Sequence, residues 1–189
     1  MKNALGMALL VIALGVTSSA QDHRWTFDAG AGFSPLLGDL NNYLRNGWNI
    51  TAGGGYNFNP GFSTTVEYMF NDFGISQRVL DSVGARGGSA HLWSVTVDPR
   101  LTLRYVGKVR PFVVAGVGYY RLTKSALVPV SAADPFFSSI GGPGGSLGLG
   151  FDFGIRDTGL KLFTEARYHY AATGSVTVHM IPLTVGLRW

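Results

Sequence analysis

Charged side chains recur at alternate positions along segments of this sequence whose other residues are mostly apolar or small. The charged set comprises Asp28, Glu67, Asp98, Arg100, Arg104, Asp152, Glu165, Arg167 and Arg188. Two such carboxylates could form an acid–base pair, and a line of carboxylates and arginines could conduct ions. The same groups could also neutralise one another in a structural network, since an unpaired buried charge is costly. No local feature marks one carboxylate as catalytic, so the sequence favours the structural network.

Histidine is the second candidate for chemistry, and His91, His169 and His179 fall near the same end of their predicted strands. A lipid hydrolase would pair such a histidine with a serine and an acidic or amide partner. No serine motif accompanies these histidines, so we predict no catalytic residue and no enzyme. The sequence also has no cysteine and no metal-ligand spacing, so we predict neither a cofactor nor a metal. The segment Gly141–Gly145 lacks the lysine and hydroxyl residue of a phosphate-binding loop and suggests a flexible surface loop.

The elements that must position these side chains are short segments in which apolar and polar residues alternate, the pattern of a β-strand. Eight segments show it, at 24–33, 48–58, 62–71, 92–105, 110–121, 146–155, 160–170 and 178–189. Each is close to the ~9–11 residues that a tilted strand needs to cross a bilayer. Two prolines fit poorly, and we expect a bulge or an adjusted register at Pro99 and a smaller disturbance at Pro182.

The two faces of these segments predict which side meets lipid. Large aromatic residues crowd the apolar face, whereas charges and most strand glycines share the other face. A small eight-stranded interior has no room for so many rings, but it can hold glycines and paired charges. We therefore predict an all-β fold, an eight-stranded antiparallel up-and-down transmembrane β-barrel, with outer-membrane lipid as a partner. The net charge of +4 comes without a Lys/Arg cluster, so no nucleic-acid partner is predicted.

Connection lengths give the barrel an orientation. Short connections lie at 59–61, 106–109 and 156–159, and longer ones span 34–46, 72–90, 122–145 and 171–177. Short turns in the periplasm and long loops outside are typical of outer-membrane barrels. In this orientation Trp and Tyr residues fall near both membrane interfaces, which they prefer. Loops 72–90 and 122–145 would bind a surface ligand, because binding residues concentrate on loops held by a rigid scaffold.

The first residues of the chain predict export. Lys2 precedes an apolar run from Ala4 to Val16, and the small residues Ser18 and Ala20 fit a cleavage site. The apolar run is shorter than the ~20 residues of a helix that spans a bilayer. We predict a signal peptide at residues 1–20, cleaved after Ala20, and a barrel domain at residues 21–189.

Two stretches carry a resemblance to a known family, namely RPFVVAGVGY at 110–119 and LTVGLRW at 183–189. The chain resembles the bacterial outer-membrane β-barrel family, in the eight-stranded group that includes the membrane domain of outer membrane protein A and the opacity-type proteins. The resemblance implies localisation in the bacterial outer membrane. It also implies that the barrel-assembly machinery is a partner during biogenesis and reads the final strand with its aromatic end, here Trp189 where phenylalanine is commoner.

Three functions remain open on the sequence alone. The leading hypothesis is a non-enzymatic barrel with a structural, adhesive or surface-recognition role through its outer loops. The first alternative is a small, porin-like channel for ions or apolar solutes. The second alternative is a lipid-modifying enzyme of the outer membrane, for which His169 and His179 are the residues to test.

Overall fold

A computed structural model describes residues 24–82, 84, 87–104, 109–127, 138–155, 159–174 and 176–189. The predicted signal peptide lies outside these residues. The strands are β1 Trp25–Ser34, β2 Leu36–Leu37, β3 Gly47–Asn59, β4 Phe62–Gly74, β5 Gly87–Thr102, β6 Val109–Leu127, β7 Ser138–Gly154, β8 Lys161–Thr173, β9 Val176–Met180 and β10 Leu183–Arg188. A 3-10 helix spans Gly38–Asn42, and a short α-helix, α1, spans Gln77–Ser82. Within the described residues, no helix is long and apolar enough to cross a membrane.

The strands close into a ring of antiparallel neighbours. Each long strand pairs with the next along the chain, and β10 pairs with both β1 and β8. The pairs β1–β2 and β9–β10 are each one strand with a proline interruption, since Phe33↔Leu183 and Leu36↔Met180 continue the same register. Counting each interrupted strand once gives eight strands among the described residues, which confirms the predicted barrel.

Proline disturbs this ring less than its missing N–H suggests. At the seam, the Ile181 N–H still donates to the Pro35 carbonyl at 3.1 Å, and the Arg167 N–H donates to the Pro182 carbonyl at 3.1 Å. The bulge expected at Pro99 is wrong. Strand β5 keeps one register along β4, and its ladder to β6 only omits the pairs at Asp98 and Pro99. The missing donor at Pro99 thus costs local pairing with β6 and does not shift the register.

The distribution of side chains is the reverse of that in a water-soluble barrel. Outward-facing Val117 is 68% exposed and Leu147 is 61% exposed, whereas inward-facing Asp98 and Arg167 are only 2% and 3% exposed. Large apolar side chains cover the outer wall between two sets of aromatic rings. This is the surface that a bilayer requires, because lipid solvates apolar groups and not charges.

Several strands extend far beyond the length that a bilayer needs. Strands β5, β6 and β7 have 16, 19 and 17 residues, compared with ~9–11 for a spanning strand. The predicted loops 72–90 and 122–145 are therefore wrong in large part, since β4, α1, β5, β6 and β7 occupy much of their described portions. Gly141–Gly145 belongs to β7, and a Cβ at Gly144 would lie 2.6 Å from the Tyr120 ring. These glycines make room for neighbouring groups in a regular sheet and do not form a flexible loop.

Candidate functional sites in the lumen and at the outer rim

The periplasmic half of the lumen contains a first group of charges, the lower ionic cluster, formed by Asp28, Arg100, Asp152 and Arg188. Arg188 donates from Nη1 to Asp152 Oδ1 at 2.6 Å and from Nε to Asp28 Oδ2 at 3.4 Å. Arg100 Nη1 lies 3.8 Å from Asp152 Oδ2. Both guanidinium groups also lie over the Phe112 ring, at 5.1 and 5.2 Å from its centroid. Two cations thus balance two anions around an aromatic ring that favours cations at its face.

A second group lies above it, the upper ionic cluster, which consists of Glu67, Asp98, Glu165 and Arg167. The Arg167 guanidinium is 2.6 Å from Glu165, 3.0 Å from Asp98 and 3.2 Å from Glu67. These contacts join strands β4, β5 and β8 across the interior. One guanidinium presents its donors to three carboxylates, and the cluster fills the middle of the lumen.

Above the charges, hydrogen-bonded uncharged groups form a polar layer. Ser34 donates to Asn71 Oδ1 at 2.6 Å and accepts from Asn49 Nδ2 at 2.9 Å. The Thr184 hydroxyl donates to Asn49 Oδ1 at 3.1 Å, which links the layer to β10. His169 Nδ1 lies 2.9 Å from the Tyr120 hydroxyl. His169 is buried inside the barrel near the outer end of β8, because its position on β8 alternates inward with those of Glu165 and Arg167.

The outer end of the lumen is filled by an apolar plug, which the sequence analysis missed. Its members are Leu36, Leu40, Leu44, Met69, Phe73, Ala90, Leu92, Tyr120, Leu122, Ala171, Val178 and Met180. The chain between β1 and β3, residues 35–46, is the first outer segment and supplies Leu36, Leu40 and Leu44. The Arg45 N–H donates to the Gly74 carbonyl at 2.7 Å and so holds this segment against β4. The available signal was that polar-face positions such as Met69 and Leu92 become apolar toward the outer ends of their strands.

Arg104, predicted for the lumen network, lies elsewhere. Strand β5 ends at Thr102, and Arg104 is exposed beyond that end. The predicted strand extended to Tyr105, which explains the error. The remaining predicted members of the network, from Asp28 to Arg188, are buried in the two ionic clusters. Within the described residues, no group of three His, Cys, Asp or Glu side chains could hold a metal ion.

The outer rim carries a further set of polar contacts on the outward face, above the aromatic rings. His91 Nδ1 lies 3.3 Å from Asp72 Oδ1, and its Nε2 lies 3.1 Å from the Ser89 hydroxyl. We call Asp72, Ser89 and His91 the rim triad. Elsewhere on the rim, His179 Nδ1 lies 2.6 Å from the Tyr168 hydroxyl. Ser89 was missed, although a serine two residues before a histidine on a strand places both on one face.

The sequence matches the family described as outer membrane protein beta-barrel domain over residues 6–188. The chain therefore belongs to this family, and it is an integral β-barrel protein of the bacterial outer membrane. No curated protein sequence matches it.

Solved structures share its architecture across nearly their whole length. Neisserial surface protein A is 16% identical with a TM-score of 0.66, and the match covers 88% of this chain and 96% of that chain. Ail, the attachment invasion locus protein of Yersinia pestis, in complex with the heparin analogue sucrose octasulfate, is 20% identical with a TM-score of 0.53, covering 87% and 97%. A major outer membrane protein from Thermus thermophilus is 12% identical with a TM-score of 0.54, covering 88% and 99%. These similarities concern the fold.

Proposed function

We propose that this protein is a closed, non-conducting barrel that uses the outer extension of its strands for surface recognition and envelope structure. The observation that carries the proposal is the filled lumen. Two ionic clusters, a polar layer and the apolar plug follow one another along the barrel axis. The interior of an eight-stranded barrel is narrow enough for side chains to fill it. The four groups of side chains in this lumen therefore favour a barrel that does not transport solutes.

The outer extension offers the surface for recognition. The β5–β6 and β6–β7 ladders continue above the aromatic rings as far as Gly87↔Leu127 and Lys124↔Ser138. Tyr43 and Arg45 are exposed beside the outer end of β4, where the Arg45 N–H donates to the Gly74 carbonyl and the Ser76 N–H donates to the Tyr43 carbonyl. A paired, continuous sheet presents such groups with little loss of conformational freedom on binding, which favours affinity. Because Ail is bound to a heparin analogue, heparin is a suitable first probe.

A shortened hairpin tests the role of the extension. In the full chain, residues 125–137 are replaced by Asn-Gly, which can join the paired residues Lys124 and Ser138 in a two-residue turn. We expect heparin or host-cell binding by bacteria that display the variant to fall to background. Arg104→Gln, a charge change at the periplasmic end, is the matched control and should bind like the natural protein. Unchanged binding by a shortened variant that still folds contradicts the proposal.

Planar-bilayer recordings test closure. The natural protein is expected to give no steady conductance. The triple variant Leu36→Ser, Leu40→Ser and Leu44→Ser, which loosens the plug, should also stay silent because the ionic clusters below still fill the lumen. A steady conductance of the natural protein would instead support the channel.

Assembly of the barrel is a second part of the proposal. Trp189 exchanges two backbone hydrogen bonds with Phe27, each 2.9 Å long, and so extends the closing strand to its last residue. We propose that the assembly machinery reads this aromatic end. Trp189→Phe should leave the folded yield unchanged, whereas Trp189→Asp should lower it in cells while refolding in detergent persists. Equal yields of both variants in cells would exclude this role.

A further inference from the structure

We propose that the rim triad is a serine hydrolase site that cleaves ester bonds of lipids in the outer leaflet. Ser89 is the nucleophile, His91 is the general base and Asp72 orients the imidazole. The distances are 3.1 Å from the Ser89 hydroxyl to His91 Nε2 and 3.3 Å from His91 Nδ1 to Asp72 Oδ1. A nucleophile, a base and an acidic partner in this order define the arrangement that activates a serine. Surface recognition requires none of it, so the activity would be an additional one.

Strand geometry brings the three residues together. Alternation along β5 places Ser89 and His91 on the outward face, and the β4–β5 register sets Asp72 directly opposite His91. The Phe70 ring stacks on the imidazole at 5.5 Å between centroids with 24° between the planes, which restricts rotation of the imidazole. The 3.3 Å contact between His91 Nδ1 and Asp72 does not have hydrogen-bond geometry, and no other described residue bonds to Nδ1, so Asp72 is the acidic group placed to orient the imidazole. Catalytic hydrogen bonds often tighten only when substrate binds.

The rim triad lies at the level of the membrane interface, where the ester bonds of lipids are found. Along β5 the outward-facing side chains run from Val95 through Trp93 to His91 and Ser89, so the triad lies just above the apolar belt and its aromatic edge. Tryptophan and tyrosine mark the interface between hydrocarbon and headgroups, and the ester bonds of a lipid join these two zones. All three side chains are partly exposed, and the exposed fraction of the side chain is 37% for His91 and 32% for Asp72.

The surroundings of Ser89 supply positive charge. Gly74 is directly opposite Ser89 and presents no side chain. Arg45 lies next to Gly74 and is exposed, with its Cβ and Cδ 3.8 Å from where a Gly74 Cβ would be. On the other side, Arg121 is diagonal to His91 on β6, and its Nε donates to the Ser139 hydroxyl at 2.7 Å. Arg45, which borders the residue opposite Ser89, can bind the phosphate of a lipid headgroup or a developing oxyanion, and Arg121, which is opposite Trp93, can bind a headgroup phosphate further along the rim.

The reaction needs only water as a second substrate. Ser89 Oγ attacks the ester carbonyl while His91 Nε2 takes the serine proton, and the same proton then passes to the leaving alcohol as the ester C–O bond breaks. The acyl group remains on Ser89. Water attacks this acyl-serine, His91 takes one water proton and returns it to Ser89 Oγ, and a free fatty acid leaves. Asp72 stabilises the imidazolium in both steps.

Labelling and turnover together test the site. The full chain, purified from membranes in nonionic detergent, is treated with a fluorophosphonate probe and digested to locate the labelled residue. It is also incubated with mixed micelles of phosphatidylethanolamine, or of lipopolysaccharide, and released fatty acid is measured. We expect the label on Ser89 and fatty acid from at least one lipid, and the two lipids identify the source of the ester. No label and no fatty acid from either lipid would overturn the proposal.

Variants distinguish a catalytic role of the rim triad from a purely structural one. Ser89→Ala should abolish both labelling and turnover. His91→Gln should lower kcat by roughly 10²–10⁴-fold, and Asp72→Asn should lower kcat with little change in KM. The matched control is Ser82→Ala, an exposed serine on α1 whose hydroxyl donates to the Val79 carbonyl, and it should keep full activity. Heat-modifiable migration on a gel checks that each variant is folded, and fatty-acid release by folded Ser89→Ala would refute the assignment.

Discussion

Arg167 and His91 both contact carboxylates on other strands, but one lies inside the barrel and reaches across its interior, and the other lies on the outer rim beside a neighbouring strand. Arg167 is 3% exposed and contacts three carboxylates of the upper ionic cluster. The His91 side chain is 37% exposed and has one carboxylate, Asp72, within 3.3 Å. Similar groups therefore occupy two very different environments in one small barrel.

The difference shows where chemistry can take place. Inside the lumen, the charges contact one another across strands and are at most 8% exposed, so lipid does not reach them. At the rim, the partners are fewer and the His91 and Asp72 side chains are 37% and 32% exposed, so we expect them to contribute little to stability. In the proposals above, a carboxylate next to a basic side chain is structural inside the wall and catalytic outside it.

The largest effect is expected from breaking the upper ionic cluster. Arg167→Met removes the cation and leaves Glu67, Asp98 and Glu165 buried without it. We expect the free energy of unfolding to fall by about 3–5 kcal/mol, since removal of one partner of a buried pair is strongly destabilising. Urea unfolding in lipid vesicles, followed by tryptophan fluorescence, measures this. Arg104→Met makes the same chemical change at an exposed site and should stay within about 0.5 kcal/mol; equal losses would contradict the comparison.

An intermediate effect is expected from crowding the same cluster. Gly116 borders Asp98, and an added Cβ would contact the Asp98 carboxylate and the Ser146 hydroxyl. Gly116→Ala should therefore lower the free energy of unfolding by about 1–3 kcal/mol, as overpacking does in other interiors. At Gly154 an added Cβ meets nothing within 4 Å, so Gly154→Ala is the control. If both variants unfold at the same urea concentration, Gly116 is not tightly packed against Asp98 and the upper ionic cluster.

The smallest effect on stability is expected at the rim. Asp72→Asn should change the free energy of unfolding by about 0–1 kcal/mol, because contacts between partly exposed polar side chains contribute little. The same variant should lose most of the fatty-acid release proposed above. Stability and turnover measured on one sample separate the two roles. A loss of stability as large as that of Arg167→Met would place Asp72 among the structural charges.

Much of the fold could be predicted because its signals are local. Alternation of residues such as Trp25, Thr26 and Phe27 gives the strand, its faces and its approximate length without knowledge of any partner. The wrong predictions concern residues whose structure depends on neighbours that are distant in the sequence. The sequence predicts Arg104 in the lumen because the end of β5 is set by its neighbours, and it predicts a loop at Gly141–Gly145 because it does not show the Tyr120 ring that needs the space.

The candidate sites depended even more on contacts between distant residues. The inward-facing charges were recognisable from the sequence, but their division into two clusters follows from which strands become neighbours. The apolar plug requires the first outer segment to fold back over the barrel, and no periodicity predicts that. The sequence places His169 and His91 near the same end of their strands, but only the structure shows that His169 contacts Tyr120 inside the barrel and that His91 faces Asp72 outside it.

The sequence by itself determined that this chain forms a membrane barrel, because a period of two with apolar residues on one face dictates which side meets lipid. Only the tertiary structure decided how the lumen is closed and which polar groups meet at the rim. The physical reason is that register and strand order relate residues far apart in the chain. Asp72 faces His91 through the alignment of two strands, and that alignment is a property of the whole barrel.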